Sequence, residues 1–70
     1  MGFKLAAARA QSGLTQAEVA KRLGTTIMKY RKIEKDMISP TYEQANAMAE
    51  IFSIPVENLI FLGHSPEKQY

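Results

Sequence analysis

Side chains able to do covalent or proton-transfer chemistry are few in this sequence. There is one histidine, His64, and no cysteine. A lone imidazole cannot assemble a metal site, and most nucleophile–base pairs need a partner that is missing here. The chain also lacks the phosphate-loop, zincin, nucleophile-elbow and dinucleotide-loop patterns. No catalytic residue, no metal ligand and no cofactor is expected, and the chain is read as non-enzymatic. What it does supply is cation chemistry, since Lys29, Arg31, Lys32 and Lys35 cluster in one short stretch. Ammonium and guanidinium groups neutralise phosphates, and a Lys in a groove can bond guanine O6 or N7.

The charge is unevenly placed. Residues 1–39 hold eight Lys or Arg against three acids, a balance of +5, whereas residues 40–70 hold one Lys against four Glu, a balance of −3. Such a division suggests one anion-facing side, although scattered surface lysines produce the same totals. At 70 residues the chain is a single small domain whose core must come from packing, because nothing staples it. No apolar run approaches the ~18 residues of a membrane span. Arg9 interrupts the short N-terminal stretch that would otherwise suggest a signal peptide. Met1-Gly2 opens as a myristoylation site would, but Ala6 stands where Ser or Thr is needed. A cytoplasmic protein is the expectation.

Five helical segments would have to position these groups. The first spans about 3–12 and stops at Gly13, with Leu5 and Ala8 on one face. The second opens on a capping box, Thr15 with Glu18, and a hydrophobic staple of Leu14 and Val19. Val19, Ala20 and Leu23 face inward, and Gly24 ends it. The third covers about 26–35, with Tyr30 and Ile33 inside and Asp36 as a left-handed stop. The fourth opens near Ser39-Pro40 and carries an apolar stripe of Tyr42, Ala45, Met48, Ala49 and Phe52. The fifth follows Pro55 over about 56–62. No stretch alternates with period two over a strand's length, so the fold class is all-α with short connections.

Thr15 to Glu34 is the informative stretch: two short helices flanking a tight turn at Gly24-Thr25. Ala20 lets the helices approach, Gly24 permits the turn, and Leu23 and Ile33 fill the wedge. The outer face of the second helix is then free to enter a major groove. With Arg9, Gly13-Leu14-Thr15-Gln16, Ala20, Leu23-Gly24, Thr26, Ile33-Glu34, Pro40, Ile54 and Leu59-Ile60, the chain resembles the DNA-binding domains of lambdoid phage repressors and Cro proteins, the XRE-type helix-turn-helix family. The resemblance covers roughly residues 5–60 and implies a compact five-helix lambda-repressor-like domain, expected over residues 1–64 with a tail at 65–70.

The resemblance also implies roles. Thr26, Ile27, Met28 and Lys32 would face base edges, with Thr26 near a phosphate or a thymine methyl. Gln16 would hold a backbone phosphate or stand as an exposed polar residue. Lys29, Arg31 and Lys35 are phosphate-directed or solvated, and Lys32 could also reach a phosphate. Tyr30, where an aliphatic residue is usual, is either core or sends its hydroxyl to a phosphate. Arg9 and Glu34 would form an internal ion pair of structural purpose. The implied function is a sequence-specific regulator of transcription, a repressor from a bacterium, prophage or mobile element, bound to a palindromic double-stranded operator.

Some positions depart from the family's pattern. Ile27 and Met28 stand where polar side chains are usual, and Met37 and Ile38 make the following loop apolar. Ile27 and Met28 either select thymine methyls or, together with Met37 and Ile38, form a surface for a protein partner. The run Leu59-Ile60-Phe61-Leu62 is apolar on all sides, which suggests a weak homodimer through Leu59, Phe61 and Leu62; alternatively Phe61 and Leu62 fold back over the first helix. Many family members continue into a sensing or dimerisation domain where this chain stops. No small-molecule ligand is indicated.

Overall fold

The computed structural model describes residues 2–60. Phe61, Leu62, His64 and the tail expected at 65–70 lie outside them. Four α-helices make up the domain: α1 at Leu5–Gln11, α2 at Gln16–Leu23, α3 at Ile27–Glu34 and α4 at Tyr42–Phe52. A 3₁₀ turn follows at Val56–Asn58.

Local chemistry at each helix end accounts for the bounds. Thr15 caps α2 reciprocally: its Oγ1 accepts from the Glu18 N–H at 3.1 Å, and its own N–H donates to the Glu18 carboxylate at 2.8 Å. That backbone bond, followed by the hydroxyl's, holds the Glu18 carboxyl below its usual range. Gly24 then takes a left-handed φ of 72°, and the Thr25 N–H donates back to the Ala20 carbonyl. Thr26 is the N-cap of α3, accepting from the Lys29 N–H at 3.1 Å. Asp36 stops that helix at φ 61°, while the Met37 N–H closes onto the Lys32 carbonyl at 2.8 Å.

The fourth helix begins later than Ser39-Pro40. Pro40 is buried and the chain continues extended to Thr41, which caps α4 in a second reciprocal box with Gln44. The expected fifth helix is also corrected. Its residues make a single 3₁₀ turn, after which Leu59–Ile60 (β2) is extended and pairs in parallel with Phe3–Lys4 (β1), Phe3 opposite Leu59 and Lys4 opposite Ile60. One turn is too short to nucleate a stable helix, and here the backbone finds a partner strand instead. The first helix is correspondingly shorter than expected, starting at Leu5 because residues 3–4 are in that pairing.

The core gathers one face from each of the four helices and one residue from β2. Leu5 and Ala8 come from α1, Val19 and Ala20 from α2, Tyr30 and Ile33 from α3, Met48 and Phe52 from α4, and Leu59 from β2. Leu14, Leu23, Ile27, Ala49, Ile51 and Ile54 pack around them, half-buried. Each large side chain so buried stabilises the fold by roughly 1.5–3 kcal/mol relative to exposure. Tyr42 is not part of that stripe: at the first turn of α4 it remains 49% exposed. No described helix is long and apolar enough to cross a membrane.

Candidate nucleic-acid interface

The third helix has two unlike faces. Tyr30 and Ile33 turn inward and are buried. Met28, Lys29, Arg31, Lys32 and Lys35 are exposed. Spacings of three and four put Met28, Arg31, Lys32 and Lys35 together, with Lys29 at their flank. The outward face therefore joins one apolar side chain, Met28 at 63% exposure, to four cations. Thr26 is exposed at the helix's N-terminal end, although its Oγ1 already caps the Lys29 N–H. Ile27 is half-buried and packs on the core, so only part of it reaches the outer surface.

Beneath α3 lies a polar cluster tying three elements together. Arg9 donates through Nε to Glu34 Oε2 at 2.8 Å, through Nη2 to Glu34 Oε1 at 3.3 Å, and through Nη1 to the Leu14 carbonyl at 3.0 Å. Gln16 Nε2 donates to Glu34 Oε1 at 3.0 Å, and Gln16 Oε1 accepts from Arg31 Nε at 3.1 Å. The Glu34 side chain is 7% exposed. Burial pushes its pKa up, but hydrogen bonds from Arg9 and Gln16, with the neighbouring Tyr30 phenol, outweigh that and hold it below the ordinary value. The same carboxylate raises the Arg9 guanidinium further above its usual pKa.

One sequence-derived assignment fails on this geometry. Tyr30 is fully buried, and its hydroxyl has no hydrogen-bond partner among the described residues. It cannot extend to a phosphate. Burial, with the Glu34 charge nearby, raises its pKa well above the ordinary tyrosine range. The hydroxyl feels that carboxylate through proximity in a poorly solvated place, without a formed bond. Leu59 likewise is unavailable to a dimer surface, because at 6% exposure it belongs to the core. The link from Gln16 to Arg31 has no counterpart in the sequence reading. Arg31 and Glu34 are three apart on one helix, a spacing that hints at a shared neighbour, but the neighbour itself lies on another element.

Among the described residues no group of His, Cys, Asp or Glu is placed to hold a metal. The arrangement is that of two short helices, α2 and α3, joined through Gly24 and Thr25, with the second presenting a cationic outer face. A family model described as a helix-turn-helix matches residues 5–59. The chain belongs to the XRE-type helix-turn-helix family. No curated protein and no solved structure matches it. Membership makes this a DNA-binding domain of the regulatory kind, with double-stranded DNA as its ligand. In helix-turn-helix proteins the second helix of the pair lies in the major groove and the first crosses the backbone. In the pair here α3 is the second helix and α2 the first.

Proposed function

We propose that this chain is a sequence-specific transcriptional regulator that docks α3 in the major groove of duplex DNA. The observation carrying the proposal is the exposed face of α3, where Met28 and Lys32 stand one turn apart among Lys29, Arg31 and Lys35. In this reading Met28 and the exposed part of Ile27 touch thymine methyls, Thr26 lies beside them, and Lys32 bonds guanine O6 or N7. Lys29, Arg31 and Lys35 neutralise phosphates, which fixes register without carrying sequence information. A domain seated across a promoter in this way blocks access to it, so its action is repression. One such module reads few base pairs, and a palindromic operator with half-sites about 34–36 Å apart would recruit two copies.

Selection from random duplexes, followed by anisotropy at two salt concentrations, tests this. The expected outcome is an enriched palindrome whose affinity falls steeply as salt rises. Lys32→Ala should then cost about 1–3 kcal/mol and relax preference at one base position. Salt-sensitive binding with no enriched sequence would reduce the face to a nonspecific cationic surface and defeat the proposal.

A further inference from the structure

Gln16 is the first residue of α2, half-buried, and both ends of its amide are engaged inside the protein. The nitrogen donates to Glu34 Oε1 and the oxygen accepts from Arg31 Nε. Glu34 is in turn fixed by two bonds from Arg9. The bonds converge on Glu34: Arg31 donates to Gln16, Gln16 donates to Glu34, and Arg9 donates to the same carboxylate. An ionised carboxylate only accepts, so Glu34 selects the nitrogen end of the amide and sends the oxygen toward Arg31. An amide oxygen turned outward would by itself repel a phosphate. Here it meets a guanidinium N–H.

Arg31 uses Nε for this bond, and its two Nη groups have no hydrogen-bond partner among the described residues. Arg31 is exposed and held by Nε, which leaves its Nη fork free among the described residues, and that fork matches the geometry of a phosphate. A long side chain already held in place also loses less rotamer freedom when it binds. We infer that Gln16 is a positioning residue for Arg31, and that the Arg31 fork makes the phosphate contact at this end of the interface. The inference rests on the DNA-binding reading above and adds to it which group grips and which group aims. Gln16 keeps one amide N–H unassigned, so its own contact has to be separated from its service to Arg31.

Two measurements on the full chain do so. In the free protein, solvent exchange of the Arg31 Nε–H by NMR should be slowed, and Gln16→Ala should abolish that protection. With a selected duplex, binding across a salt series is compared for wild type, Gln16→Ala, Arg31→Ala, Arg31→Lys and the double alanine variant. Arg31→Ala should weaken binding to all duplexes alike and lower the salt slope by about one. Gln16→Ala should weaken wild type several-fold yet change the Arg31→Ala variant by less than about two-fold, the signature of coupled residues. Arg31→Lys keeps the charge and the slope but should lose affinity as Gln16→Ala does. Melting temperatures near that of wild type would show that the folds are intact. An equal loss from Gln16→Ala in both backgrounds would overturn the inference, as would an Arg31→Ala variant that binds normally. A wild-type chain that binds no duplex, even with the Arg31 N–H protected, defeats the DNA-binding reading first and the phosphate role with it.

Discussion

Beside the Arg9–Glu34 pair, the phenol of Tyr30 is enclosed with a hydroxyl that has no hydrogen-bond partner among the described residues. Leaving a buried donor unsatisfied costs about 1–3 kcal/mol, and replacing it with an apolar group of the same shape removes that cost. Tyr30→Phe is therefore expected to melt at or above the wild-type temperature and to bind DNA with unchanged affinity. A loss of affinity without a loss of stability would return the hydroxyl to the interface. Glu34 makes the opposite case, because its folded pKa lies below the ordinary value of 4.5. A lowered pKa stabilises the fold above the ordinary value, and that contribution disappears as pH falls through the folded one. Denaturant titrations at a series of pH values should show stability dropping on acidification below about pH 4.5. Glu34→Gln should be less stable near neutrality by about 2 kcal/mol, since it strands a partly buried Arg9, and its acid limb should be flatter. Some acid dependence should survive in that variant, because the Glu18 carboxyl is also held low by its capping bonds.

At the scale of elements, the helix ends decide the fold's economy of turns. A Cβ added at Gly24 would meet nothing within 4 Å, so the only cost of Gly24→Ala is its left-handed φ of 72°. That cost is about 1–2 kcal/mol. Asp36 occupies the same region at φ 61° without glycine's freedom, so Asp36→Gly should stabilise by about 1 kcal/mol or less. Urea midpoints, with the slope of unfolding unchanged, check both substitutions. These ends were largely legible in the sequence: T-x-x-E at 15–18, Gly24 and Asp36 each predict the turn that the structure has. The start of α4 carries the same signature, T-x-x-Q at 41–44, but Ser39-Pro40 competes with it as a start, and only the burial of Pro40 settles the choice. The β1–β2 pairing had no local signal at all. Two residues have no readable periodicity, and their partners lie more than fifty positions away. The site divides in the same way. Helical spacing predicts the outward cations of α3, whereas the Gln16–Arg31 bond joins two elements and depends on how they pack.

For the molecule as a whole, the interface depends on parts that never approach it. The parallel pairing joins the segment before α1 to the one after the 3₁₀ turn, and Leu59 enters the same core as Tyr30 and Ile33, the inner face of α3. β2 packs on β1 and α1, so Leu59 stabilises the core that the inner face of α3 shares, and with it the fold that presents the cationic outer face. Leu59→Ala should cost about 2–4 kcal/mol through lost burial and the cavity left behind. A domain of this size has on the order of 5 kcal/mol of stability, so the loss consumes much of it. Apparent DNA affinity should stay within about a fifth of wild type, because the ~1–3 kcal/mol that remains keeps most molecules folded, whereas Lys35→Ala and Arg31→Ala lose a contact. Removing a phosphate contact lowers the salt slope, whereas depleting the folded fraction leaves the slope of the surviving molecules unchanged. Saturating duplex should also restore much of the variant's melting temperature, because DNA binds only the folded chain. Anisotropy and thermal melts on the same Leu59→Ala sample therefore separate support from contact. A reduced salt slope in that variant would mean that β2 lies at the DNA and that its packing role has been misassigned.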